Sequence, residues 1–152
     1  MPAFRIRPAT PEDARALVDI ENSTFSSDRI SPRQMRHLLT RGKAATFVAV
    51  ADNDELLGYV MVLLPAPPKP CRIYSLAVGK EHRGKKIASG LMEQMLAYVR
   101  ERQCQRIRLE VRAADLNVQA IYQHFGFFLV RRIRGYYQDG EDALRMELPL
   151  NS

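Results

Sequence analysis

No apolar run in this 152-residue chain approaches the roughly 20 residues that a bilayer-spanning helix needs. The opening MPAFRIRPAT lacks the successive basic, apolar and small-residue zones of a secretory signal. No membrane association is expected, and the chain reads as cytoplasmic. Cysteine is scarce. Cys71 and Cys104 stand isolated, form no metal-ligand spacing, and are read as reduced thiols. His37, His82 and His124 are scattered, so no metal site is expected. Repeats, linkers and low-complexity stretches are absent, which leaves one domain over residues 1–152.

What is present is ordinary for a soluble globular domain. The chain is 46% hydrophobic and 26% charged, and long enough for a sizeable core. Its formal charge of +6 admits an acidic partner: nucleic acid, an anionic cofactor or an acidic peptide. The basic residues are also spread along the chain, as plain solubility charge would be. A nucleic-acid-binding module would need a base-reading motif, which the sequence lacks, so no DNA partner is expected.

Phe4-Arg5-Ile6-Arg7 alternates and reads as a first strand, ended by Pro8. Thr10-Pro11-Glu12-Asp13 supplies a cap residue, a first-turn proline and acids, the start of a helix with Ala14, Leu17, Val18 and Phe25 on its apolar side. A polar, exposed link from Ser26 to Ile30 leads to Ser31-Pro32 and a short helix carrying Met35, Leu38 and Leu39, closed by Gly42. Residues 46–51 and 57–64 form strands joined by the turn Asp52-Asn53-Asp54, hence a hairpin. Pro65, Pro67, Pro68 and Pro70 stiffen a loop that cannot join a sheet interior; it is a connector or a substrate wall. Residues 73–78 are a buried strand. Ile87, Leu91, Met92, Met95, Leu96 and Val99 then make one stripe of a long helix. Residues 106–112 alternate, with Ile107, Leu109 and Val111 on one face and Arg108 and Glu110 on the other. Asp115 caps a helix over 116–125, stopped by Gly126. Strands at 127–133 and 143–150 flank a polar excursion, Tyr136 to Asp142. The expected fold is α/β (α+β): three layers, with a mixed seven-stranded sheet flanked by about four helices.

The chemistry concentrates in Val78 to Leu91, VGKEHRGKKIASGL. His82, Arg83, Lys85 and Lys86 crowd around Gly84 where the long helix should begin. Cations are unfavourable there because the macrodipole is already positive. No Ser, Thr, Asp or Asn caps the turn, although the first backbone N–H groups need acceptors. A phosphate on the turn resolves both oddities. A solvated basic turn leading into a core helix is the other reading.

Arg83-Gly84-Lys85-Lys86-Ile87-Ala88 resembles the [RQ]-x-x-G-x-[GA] pyrophosphate loop of the GNAT acetyltransferase superfamily, with Lys86 at the family's middle Gly. Leu109-Glu110-Val111-Arg112, then Ala120-Ile121-Tyr122 and Phe125-Gly126-Phe127, resemble that superfamily's second signature. The closing Tyr136-Tyr137, Gly140 to Ala143 and Met146 to Pro149 are similar to one branch, the bacterial ribosomal-protein-alanine N-acetyltransferases (RimI type). Residues 25–39, where such enzymes often read the acceptor, do not resemble the best-known members of that branch.

The resemblance implies acetyl-CoA as cosubstrate and no metal. Its pyrophosphate would lie on the backbone N–H groups of Gly84, Lys85, Lys86, Ile87, Ala88 and Ser89, beside Arg83. The pantetheine arm would run along Leu76-Ala77-Val78 as an added strand, where a splayed edge also offers an oxyanion N–H. Those three residues read equally as core strand. Lys86 restricts this backbone, because Lys resists positive φ where Gly does not. Glu110 matches the family's base, and Tyr122 its general acid. Read alone, Glu110 is a surface carboxylate paired with Arg108 or Arg112, and Tyr122 is core. Asp115 stands where the family has a CoA-contacting Asn; it is a helix cap, or Asn117 takes over that contact. Arg131, Arg132 and Arg134 are a solvated edge strand or a surface for an acidic peptide or ribosomal RNA. The implied acceptor is an amine, a protein N-terminus, with a monomer or homodimer as the assembly. Other readings are acetylation of a small amine (a polyamine, amino acid or aminoglycoside) and a non-catalytic CoA-binding protein.

Overall fold

The computed structural model describes residues 4–24, 30–40, 43–66, 69–84 and 86–150. Among the described residues seven strands and four α-helices follow the expected order: β1 (Phe4–Pro8), α1 (Ala14–Thr24), α2 (Pro32–Thr40), β2 (Ala44–Ala51), β3 (Leu56–Leu63), β4 (Cys71–Val78), α3 (Ile87–Glu101), β5 (Arg106–Arg112), α4 (Leu116–His124), β6 (Phe128–Ile133) and β7 (Ala143–Pro149). The strands form one sheet in the order β1-β2-β3-β4-β5-β7-β6. The β4–β5 pair is parallel and every other pair is antiparallel.

Local chemistry accounts for the helix starts. The Thr10 N–H donates to Asp13 Oδ2 at 2.8 Å, and Arg7 grips the same carboxylate through two bonds of 2.9 and 3.0 Å. At α2 the capping is reciprocal. The Gln34 N–H donates to Ser31 Oγ at 3.1 Å, and the Ser31 N–H donates to Gln34 Oε1 at 3.0 Å. Ile30, expected in an exposed link, is buried against Leu17, Val18 and Met35 in one apolar cluster. An isoleucine next to an amphipathic helix is drawn into the core whatever the polarity of its neighbours. Residues 26–29 of that link lie outside the described residues.

Alternation along the strands sends side chains to two cores. Val48, Val50, Tyr59, Met61 and Ala77 meet α1 and α2 on one face. Phe47, Ala49, Val60, Val62, Ile107, Leu109 and Val111 meet the α3 stripe and Tyr122 on the other. Strand β6 sits at the sheet's edge and is almost entirely exposed, so Arg131 and Arg132 are edge-strand residues; Arg132 donates to Asp142 at 2.7 Å.

Two features shape the middle of the sheet. Against β3, Met61 pairs with Ser75 and Val62 with Ile73, so Tyr74 is an extra residue that bends β4. Against β5, β4 pairs at Cys71↔Ile107 and Arg72↔Arg108; beyond Arg72 the two strands part. Cys71 and Cys104 are joined by a disulfide at this junction, with Cα atoms 6.5 Å apart. That corrects the expectation of isolated thiols. The parallel register sets Ile107 beside Cys71, which brings the turn holding Cys104 to the same place, although 33 positions separate the cysteines.

Gly58 pairs with Val78 near the open end of β4, and a Cβ there would come within 2.8 Å of the Ala77 carbonyl oxygen. Gly58→Ala is therefore expected to force β4 away from β3 and to cost about 1–3 kcal/mol of stability, measured by urea unfolding.

Candidate active site

Where β4 and β5 part, a cleft of about 950 Å³ opens through the sheet. It is lined by the outer half of β4, residues 82–84 and 86–89, the open ends of β5 and α4, and Tyr136 and Tyr137 of the β6–β7 loop. Leu76, Ala77, Val78, Arg83, Gly84, Lys86, Ile87, Ala88, Ser89, Glu110, Asp115 and Tyr122 all stand on its wall. Lys85 lies outside the described residues.

One side of the cleft suits an anion with a long polar tail. Gly84 has φ +81° and Lys86 φ +63°, so the turn winds through two left-handed residues into α3. Lys86 occupies the N-cap position and no side chain caps the helix. The Gly90 N–H donates to the Lys86 carbonyl at 3.1 Å, and the amides of Ile87, Ala88 and Ser89 precede that bond. They are the donors that a helix start leaves for an anion. The β4 edge facing the gap has lost its β5 partner, so its backbone can bond an extended amide-bearing chain. The Leu76, Ala77 and Ile87 side chains are core, and these residues contribute through the main chain. Asp115 Oδ1 accepts the Val118 N–H at 3.2 Å, which makes Asp115 the cap of α4. Asn117 lines the cleft beside it. These features fit a nucleotide-linked, pantetheine-like cosubstrate.

Glu110 is held differently from the expected pairing. Its side chain is 4% exposed, and its partners are neither Arg108 nor Arg112. Arg72 Nε donates to Oε1 at 2.9 Å and Arg145 Nε to Oε2 at 2.8 Å. The cause is register: Arg145 is the residue of β7 directly opposite Glu110, and Arg72 reaches across from β4. Cross-strand neighbours lie nearer than residues two apart along one strand. Arg108 pairs with Glu147 at 2.6 Å, and Arg112 with Asp139 at 2.9 Å and Glu141 at 3.2 Å. Arg72 also donates to the Tyr136 hydroxyl at 3.0 Å, which ties the β6–β7 loop to the same cluster.

Tyr122 is both core and cleft wall. It is buried, and its ring lies 5.6 Å from that of Phe127. Burial first, then the charge of Asp115, pushes its phenol well above its ordinary pKa, so the hydroxyl keeps its proton across the physiological range. Glu110 faces away from Ile107, Leu109 and Val111, whereas Tyr122 packs among them. The two residues therefore approach the gap from opposite faces of the sheet.

Sequence reasoning missed Glu21. It lies on α1, is 6% exposed, and lines the same cleft. Tyr59 and Ser75 both donate to its Oε1, Ser75 at 2.8 Å. Burial raises its pKa, and the two hydrogen bonds oppose that shift. The signal was present: Glu21 falls on the stripe of Ala14, Leu17 and Val18, where a carboxylate is out of place. The guanidinium partners Arg72 and Arg145 carried no such signal. Arg131, Arg132 and Arg134 are not among the lining residues. Among the described residues no group of three or more His, Cys, Asp or Glu could hold a metal, and no helix is long and apolar enough to cross a membrane.

A seven-stranded mixed sheet, parted at its parallel pair beside an uncapped helix start, is the architecture of this domain. Residues 14–127 match the acetyltransferase (GNAT) family, and the chain belongs to it. An N-alpha-acetyltransferase of Saccharolobus solfataricus is 32% identical over 97% of this chain and 93% of its own length. The ribosomal-protein-S18-alanine N-acetyltransferase of Escherichia coli has the same fold: TM-score 0.87 at 21% identity, over 98% of this chain and 95% of that one. Arabidopsis thaliana NAA60 in complex with acetyl-CoA superposes with TM-score 0.86 at 20% identity, over 98% and 99% of the two chains. The protein is an acetyl-CoA-dependent N-acetyltransferase of the GNAT type.

Lys86 carries a left-handed strain that costs an L-residue roughly 1–2 kcal/mol. Lys86→Gly releases it and loses part of the gain to unfolded-chain entropy. A net stabilisation of about 0.5–1 kcal/mol is expected by chemical denaturation.

Proposed function

We propose that the protein transfers the acetyl group of acetyl-CoA directly to the N-terminal α-amine of a protein, with ribosomal proteins as the first acceptors to test. The observation that carries this reading is the parted β4 edge, with a buried carboxylate on one face and a buried phenol on the other. The names of the relative from Saccharolobus solfataricus and the structural neighbour from Escherichia coli support the acceptor class.

Acetyl-CoA supplies a thioester-activated acetyl group. The amides from Gly84 to Ser89 hold its pyrophosphate, with Arg83 and Lys86 beside them, and Leu76 to Val78 bond its arm. A β4 amide freed by the parting stabilises negative charge on the thioester oxygen. Glu110, fixed by Arg72 and Arg145, takes the ammonium proton through a water and frees the lone pair that forms the C–N bond. Tyr122 gives its hydroxyl proton to the sulfur as the C–S bond breaks, and regains one from the nitrogen through solvent. An α-amine has a pKa of about 7.7–8.0 against about 10.4 for lysine, so near neutral pH it needs less help from a base.

Glu110→Gln is expected to lower the rate by about a hundredfold, most strongly at low pH. Tyr122→Phe is expected to lower turnover by a similar factor, about a hundredfold, with acetyl-CoA affinity retained. Unchanged rates in both variants would remove these roles. Mass spectrometry of acetyl transfer to N-terminal peptides of ribosomal proteins and to a pool of polyamines and aminoglycosides tests the acceptor. Mass gain on a peptide α-amine supports the proposal; gain confined to small amines overturns the acceptor class and leaves the transferase standing.

A further inference from the structure

Two buried carboxylates line the cleft, and their surroundings differ in charge. Glu110 is neutralised by Arg72 and Arg145, so that cluster carries a net positive charge. An ammonium approaching it alone would meet more cation than anion. Glu21 has no cation against it among the described residues; its donors are the neutral hydroxyls of Tyr59 and Ser75. Both hydroxyls bond Oε1, and Oε2 accepts no hydrogen bond from the described residues. The two donors fix the carboxylate's orientation, and Tyr59 is itself fully buried. Ser75 belongs to β4, one residue before the Leu76 to Val78 edge. Glu21 therefore stands next to the place where the reacting carbonyl is expected, on the wall that also carries Arg72 and Tyr74.

We propose that Glu21 seats the incoming primary amine in its ammonium form, with Oε2 accepting one of its N–H groups, and so sets the site's preference for amines. This rests on the acetyltransfer reading given above. Glu21 acts in recognition, and the proton leaves by way of Glu110. A buried anion with neutral partners is costly, and the arriving cation relieves that cost. A peptide end without the charged amine leaves the carboxylate desolvated and unpaired, so it is rejected. Tyr59 and Ser75 are positioning residues for Glu21.

The test compares two peptides by isothermal titration calorimetry in the presence of CoA. One is a heptapeptide with N-terminal alanine; the other is its propionyl counterpart, with hydrogen in place of the α-amine. The wild-type protein is expected to bind the amine peptide about tenfold more tightly, the worth of one charge-assisted hydrogen bond. Glu21→Gln keeps an oxygen for Tyr59 and Ser75, and is expected to bind both peptides within twofold. Its KM for the acceptor peptide rises about tenfold and its KM for acetyl-CoA is unchanged. Glu21→Asp keeps the charge but withdraws the oxygen, and is expected to fall between them; it serves if the glutamine variant does not fold. Equal binding of the two peptides by the wild type, or full discrimination by both variants, overturns the role of Glu21. Absence of acetyl transfer to any amine by the wild type overturns the acetyltransfer reading instead.

Discussion

Strands β4 and β5 share two residue pairs and then separate, and most of what the molecule can do follows from that separation. A fully zipped parallel pair would satisfy the backbone groups of residues 73–78 internally and close the cleft. The extra residue at Tyr74 starts the bend. At the fork itself the connection passes from backbone to side chain. Arg72, the last paired residue of β4, reaches across to Glu110 on β5, and Arg145 on β7 holds the other oxygen. The disulfide between Cys71 and Cys104 closes the same junction from behind. The fork is thus fixed on one side, and its open side exposes main chain beside the start of α3.

The separation also divides the chemistry between two faces. On the face of α3 and α4 lie the uncapped helix start and a phenol whose proton is held by burial. On the face of α1 lie two carboxylates in opposite settings, one between guanidiniums and one between hydroxyls. A buried carboxylate with charged partners is already compensated, whereas one with neutral partners still gains from a cation. In the proposed reaction the second meets the cationic group arriving from solvent, and the first takes its proton.

The order of strands and helices was readable because each element carries its own period and punctuation. Ser31-Pro32, Asp115 and Gly126 mark ends through bonds that span three or four residues, and the α3 stripe is visible within fifteen. Lys86 was legible as a residue that resists positive φ at a family glycine position; that its backbone is nonetheless left-handed comes from the fold. The partners of Glu110 were not. Arg72 and Arg145 lie 38 and 35 positions away and reach it only through sheet register. The cysteine pair was hidden for the same reason, and Ile30 because an apolar residue in a polar link follows the core and not its neighbours. Glu21 was visible as an acid on an apolar stripe, but its donors on β3 and β4 are supplied by the fold.

The most direct test of the fork as the cosubstrate's seat is amide hydrogen exchange with and without acetyl-CoA. Exchange is expected to slow at Leu76 to Val78 and at Gly84 to Ser89 together, because an added chain bonds the first set and an anion the second. Binding of acetyl-CoA that leaves both sets unchanged, or that protects only the exposed edge strand β6, would contradict it.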